Sequence, residues 1–149
     1  MSTISIDLIW KLGSGKLSEK NYSNEHDIVF TPEIKFKGDS APDWNGNKLN
    51  ANPEQSLAAA LSSCHMMTFL ALAAKTGWPV TSYKDTAIAT LGKNKKNKMC
   101  VTKIELSPKI EFSKEFTVNH AEMKKMQERA HRYCFIANSL SDEVEVLVN

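Results

Sequence analysis

The chain is short of arginine and of cysteine, and each shortage narrows its chemistry. Only two arginines occur in 149 residues, Arg129 and Arg132, so every earlier cation is a lysine or a histidine. The net charge of +2 gives no electrostatic case for binding nucleic acid. The one basic cluster, Lys93 to Lys98, is interleaved with asparagine and has no aromatic residue on which a base could stack, so it reads as a solvated turn. The three cysteines, Cys64, Cys100 and Cys134, form no CxxC pair. No secretory leader is apparent in Met1 to Asp7, which lack both a charged start and a continuous apolar run. Both absences point to a reducing, cytoplasmic setting. No internal repeat or low-complexity tract interrupts the chain, and 149 residues suit a single domain, 1–149, with one core.

What is present is a long uncharged segment. Leu57 to Ala74 carries no formal charge, a length that imitates a membrane span. Its wealth of Ala, Ser, Thr, Met and His suits a central helix buried in protein rather than one facing lipid, so no membrane partner is expected. Asn52 is a natural N-cap and Pro53 a natural first helical residue, with Glu54 placed to favour the helix dipole. Gly77 and Pro79 mark the end, which predicts a helix from about Pro53 to Thr76.

Before it, alternation from Ile4 to Leu12 predicts a strand, as do Asp27–Phe30 and Ile34–Lys37 around Pro32. Gly38 to Asn52 reads as a long loop. After it, Ser82–Leu91 and Met99–Phe112 read as two strands joined by the Lys/Asn turn. A second helix over about His120–Tyr133 places Met123, Met126, Ala130 and Cys134 on one apolar stripe. Phe135–Leu140 reads as a loop and Val144–Val148 as a closing strand. The class is α+β.

Two cysteines on two core helices admit three readings: inert buried hydrophobes, a disulfide redox pair, or metal ligands. Cys64 stands between Ser63 and His65, about three turns into a helix whose entrance carries Glu54. Cys134 follows Arg129, His131 and Arg132, cations of the kind that favour a thiolate. A metal set would be Cys64, His65, His131 and Cys134. His131 and Cys134 can share a helix face, but Cys64 and His65 diverge by about 100° and do not easily converge on one ion. Cys100 shares its strand parity with Ile104 and Leu106 and reads as a small core residue.

The stretch Asn52-Pro53-Glu54-Gln55-Ser56-Leu57 through Ser62-Ser63-Cys64-His65 resembles the central-helix motif of the OsmC/Ohr family, the osmotically inducible protein C and organic hydroperoxide resistance proteins. The stretch Ala130-His131-Arg132-Tyr133-Cys134-Phe135-Ile136-Ala137-Asn138-Ser139 resembles that family's second cysteine motif, in the right order and at the right separation. The resemblance implies antiparallel sheets around a long buried central helix and a second helix, in an intertwined homodimer. It implies a thiol-dependent peroxidase, needing neither metal nor cofactor, that reduces organic hydroperoxides and to some degree hydrogen peroxide. Cys64 would be the peroxidatic cysteine and Cys134 the resolving one, with an external dithiol as reductant and Glu54 at the family's glutamate position. His65 and His131, each within one turn of a cysteine, would support the pair. In the family that glutamate pairs with an arginine from the N-terminal strands, which this chain lacks. His26, on a short strand in the matching region, is the candidate in its place. A non-catalytic binder of a small ligand near Cys64, or a redox sensor, is the alternative.

Overall fold

The computed structural model describes residues 2–19 and 22–149, and Met1, Lys20 and Asn21 lie outside the described residues. The chain divides into two compact units, Met1–Ser56 and Leu57–Asn149.

In the first unit, β1 (Asp7–Ile9), β2 (His26–Thr31) and β3 (Ile34–Gly38) form an antiparallel sheet in that order. Only three residues of the expected Ile4–Leu12 strand are paired. The β2–β3 register shifts between Val29 and Thr31, and the bend such a bulge gives a strand falls beside the end of β1. The Thr31 hydroxyl accepts the amides of Glu33 and Ile34 and so shapes the turn around Pro32. The long loop after β3 is tied down by one carboxylate. Asp39, only 6% exposed, accepts the amides of Ser40 at 2.7 Å and Asn47 at 2.9 Å. The Asn47 amide outweighs the opposing effect of burial, and with further help from Ser40 it holds the Asp39 carboxyl below the usual aspartate range.

Helix α1 spans Pro53–Lys75. Its start is a reciprocal cap: Asn52 Oδ1 accepts the Gln55 amide at 2.8 Å, and Gln55 Oε1 accepts the Asn52 amide at 3.1 Å. Its end is a Schellman turn. Gly77 takes φ 74°, and the amides of Trp78 and Gly77 donate to the carbonyls of Ala73 and Ala74.

The second unit buries one stripe of α1, comprising Ala58, Leu61, His65, Phe69 and Ala73. Strands β4 (Val80–Lys84) and β7 (Lys109–Phe112) pair antiparallel. Strands β5 (Ile88–Lys93) and β6 (Met99–Leu106) also pair antiparallel, while β8 (Glu145–Val148) lies parallel to β6, not antiparallel as the other strands do. Helix α2 spans His120–Tyr133, and its apolar stripe is buried at Met126 and Ala130. Ala58, Leu61, Ile104, Leu106 and Cys134 form one core cluster, and Phe69, Ala73, Met126 and Ala130 form another.

Two sequence expectations need correction. Ser82–Leu91 and Met99–Phe112 are not two strands but four, each run giving one strand to each sheet. The breaks fall at Asp85–Ala87 and Ser107–Pro108. Pro108 has no N–H to give a ladder, and the Asp85 carboxylate takes the Ser107 amide at 2.7 Å and the Ser62 hydroxyl of α1. Within the single chain one face of α1, comprising Ala59, Ala60, Ser63, Met67, Leu70, Ala71 and Ala74, is exposed. By length and composition α1 could cross a membrane, and 28% of its apolar window is buried.

Asp85→Ala strips one amide and one hydroxyl of their acceptor, so it should cost about 1–3 kcal/mol of stability, read as a lowered midpoint in urea unfolding.

Candidate thiol site

The site is assembled from the middle of α1 and the turn that leaves α2. The start of α2 is fixed by another reciprocal cap, between Asn119 and Glu122. At its far end Cys134 adopts an extended conformation (φ −72°, ψ 115°) and turns the chain out of the helix. The turn is then locked by its own polar groups. The Asn138 amide donates to the Cys134 carbonyl at 3.0 Å, its side-chain amide donates to the Arg132 carbonyl at 3.1 Å, and the Ser139 hydroxyl donates to the Phe135 carbonyl at 2.8 Å.

Cys64, half-buried, and Cys134, fully buried, are free thiols; Cys64 packs against the core cluster that holds Cys134, and each influences the ionisation of the other. Their surroundings pull them apart. Burial pushes the Cys64 thiol up, but the Ile136 amide, the Cys134 thiol, the Phe135 amide and the Thr68 hydroxyl together hold it below its ordinary value. That hydroxyl also donates to the Cys64 carbonyl at 2.8 Å. Burial pushes Cys134 up to about 11; the Ala137 amide, 3.4 Å from its sulfur, opposes this, while the hydrogen bond to Cys64 and its charge reinforce it. A single negative charge on this pair therefore resides on Cys64. Beside it lies a cavity of about 440 Å³ lined by Cys64, Met67, Thr68, Ala71, Leu72, Tyr133 and Phe135. Arg129 and Arg132 are exposed, and neither is among the groups that shift either thiol, contrary to the role their closeness in sequence suggested.

His65 turns to α2, where its Nε2–H donates to Gln127 Oε1 at 2.7 Å. Its Nδ1 and the Nδ1 of His131 are both buried without a hydrogen-bond partner. Burial, reinforced by His131, lowers His65 below 6.5 despite the opposing effects of Gln127 and Asp85. Cys100 lies half-buried on β6 opposite Gly92. Among the described residues, no three His, Cys, Asp or Glu side chains converge as a metal-binding group.

The other two predicted residues belong to the first unit. Glu54, in the first turn of α1, keeps one carboxylate oxygen buried and unpartnered. The His26 Nδ1–H donates to the Asn24 carbonyl at 2.7 Å, and the ring covers Gly38 so closely that a Cβ there would collide with it. His26 also lines a cavity of about 770 Å³ with Leu8, Trp10, Leu17, Tyr22 and Asp39 among its other walls. Sequence reasoning missed the amides of Phe135 and Ile136, because a main-chain N–H leaves no mark on residue identity.

A sequence model of the OsmC-like proteins matches residues 46–149. The chain belongs to the OsmC-like family. An OsmC-like protein of unknown function from Vibrio cholerae is 36% identical over the whole of both chains and superposes with a TM-score of 0.86. Fold likeness extends to an organic hydroperoxide resistance protein from Elizabethkingia anophelis, at 19% identity over 99% of this chain and 95% of that one, with a TM-score of 0.74. It extends also to one from Bacillus subtilis, at 13% identity over 99% of this chain and 97% of that one, with a TM-score of 0.67. No match was found among curated proteins. The mixed α+β architecture, with two α-helices and three small sheets among the described residues, is thus that of OsmC-like proteins.

Two outcomes follow in this OsmC-like chain. His65 has a lowered value when folded, so its contribution to stability is full above the ordinary 6.5 and is lost as pH falls through the folded value. Thermal melts taken at falling pH should decline through this range, and His65→Asn, which cannot titrate, should flatten that slope. Gly38→Ala should displace the His26 ring, seen as a changed His26 signal in imidazole NMR spectra.

Proposed function

We propose that this OsmC-like protein is a thiol peroxidase that reduces organic hydroperoxides, with Cys64 as nucleophile and Cys134 as resolving residue. The observation that carries the reading is the opposite pull on two thiols of one core cluster, one favoured as thiolate and the other held as thiol. The Cys64 thiolate attacks the outer oxygen of the peroxide; the O–O bond breaks, and the departing alkoxide takes a proton and leaves as the alcohol. Cys64 becomes a sulfenic acid, and the charge that added to the effect of burial on Cys134 disappears. The Cys134 sulfur, with the Ala137 amide beside it, then attacks the sulfenic sulfur, giving a disulfide and water. An external dithiol reduces the disulfide and is itself oxidised to a disulfide. The apolar cavity beside Cys64 suits the carbon skeleton of an organic peroxide.

Glu54 and His26 are proposed as further catalytic groups on the strength of their positions relative to the family's motif, and His65 and His131 as supports of the packing behind the thiols. The working form is proposed to be a cytoplasmic homodimer. What supports the dimer is uncovered apolar surface: the open face of α1, and a first unit in which Leu8 is 60%, Phe30 50% and Ile34 58% exposed.

Reduced protein titrated with one equivalent of cumene hydroperoxide should form a Cys64–Cys134 disulfide, located by peptide mapping. Cys64→Ser should abolish dithiol-dependent turnover, and Cys134→Ser should leave a Cys64 that passes on to sulfinic acid. Full turnover in Cys64→Ser would overturn the mechanism, and an unreacted wild-type protein would favour the ligand-binding alternative. Light scattering should give twice the 16.7 kDa chain mass, falling toward one chain in Ala60→Arg on the open face of α1.

A further inference from the structure

We propose that the cavity between α2 and β8 is a binding site for a small carboxylic acid with an apolar body. The cavity measures about 680 Å³, a size usual for small-molecule sites, and lies wholly within the second unit. It shares no wall residue with the cavity beside Cys64. Helix α2 carries two stripes, of which the apolar one is buried at Met126 and Ala130. The other is polar. At about 100° per residue, His120, Lys124, Gln127 and His131 fall within about 60° of one another, and all four line the cavity. Val146, Leu147 and Val148 of β8 give it an apolar wall.

The polar wall has a surplus of donors. Gln127 is only 8% exposed, and its Oε1 is taken by His65, which leaves the amide nitrogen as the free end. Among the described residues that nitrogen meets only the Met123 sulfur, a weak acceptor, at 3.9 Å. Lys124, three residues earlier on the same face, adds an ammonium that enters no ion pair among the described residues. His131 keeps its Nδ1 buried and without a hydrogen-bond partner. The one acidic side chain of the wall, Glu128, is exposed and lies at the edge of the stripe. A carboxylate held between Lys124 and Gln127 satisfies a free charge and a buried donor at once, in bonds stronger than those between neutral groups. Its carbon body then lies along β8. The same Gln127 side chain receives His65, the residue after Cys64, so a bound acid touches the group that joins α2 to α1.

Octanoate is the probe, with octanol and octylammonium as its uncharged and cationic counterparts, and binding is followed by NMR of the reduced protein. Octanoate should move the methyl signals of Val146 and Val148 and the imidazole signals of His120 and His131 in a saturable way. Octanol should bind about tenfold more weakly, as should octanoate to Lys124→Met, which loses the charge and keeps a long side chain. Gln127→Glu retains an acceptor for His65 and replaces the free donor by an anion, so it should abolish binding. Equal binding of octanol or octylammonium, or undiminished binding of octanoate to Lys124→Met, overturns the proposal. So do shifts that fail to saturate, or shifts confined to Met67 or His26, which line the cavities described above. Lys124 is exposed, so Lys124→Met decides the matter should Gln127→Glu not fold. No peroxide or reductant enters the test, and its outcome is independent of the peroxidase reading.

Discussion

The contact between Cys64 and the turn that begins at Cys134 is the constraint around which the second unit is arranged. Cys134 belongs to the same buried cluster as Ala58, Leu61, Ile104 and Leu106, so the thiol pair is built into the core rather than set in a surface loop. An apolar core raises the value of a thiol, and at Cys134 that effect prevails over the opposing Ala137 and Ile136 amides. Cys64 escapes it because the Ile136 amide, the Cys134 thiol, the Phe135 amide and the Thr68 hydroxyl together outweigh its burial. The two halves of α1 explain how this is held. Leu61 anchors the helix in the cluster with β6, and Phe69 anchors it in the cluster with α2. Between them, the His65–Gln127 bond joins α1 to α2 at the level of the thiols.

Much of this was legible in the residues, and the legible parts share a cause. Helix ends are written in side chains that only one local geometry satisfies: Asn52, Pro53 and Gln55 at one end of α1, and Gly77 at the other. The Met123–Cys134 stripe was legible for the same reason, since a helical period survives in sequence. Strand limits were not. Ser82–Leu91 and Met99–Phe112 each look continuous because a strand's partner is chosen far away in sequence, yet Asp85 and Pro108 interrupt both. The short apolar run of β8 carries no sign of whether its partner lies parallel.

At the candidate site, the sequence offered the two cysteines, while the groups that surround them were not legible. Arg129 and Arg132 lie near Cys134 in sequence, but steps of five and two residues on a helix point them away from it. The groups that do act on Cys64 come from residues named Phe and Ile, whose side chains say nothing about where their amides point. Backbone chemistry of this kind becomes visible only when the turn is folded.

The open face of α1 has a bearing on that chemistry. A helix apolar on every side is equally a core helix, a membrane span or one half of a helix pair, and only what covers it decides among these. Met67 lies on that face and also lines the cavity beside Cys64. Whatever covers α1 therefore also shapes the mouth of that cavity. The donors to Cys64, by contrast, come from the inner side, from a turn locked by its own hydrogen bonds. The inner surroundings of the sulfur thus belong to the second unit, while the outer wall of the cavity belongs to the surface that α1 presents outward.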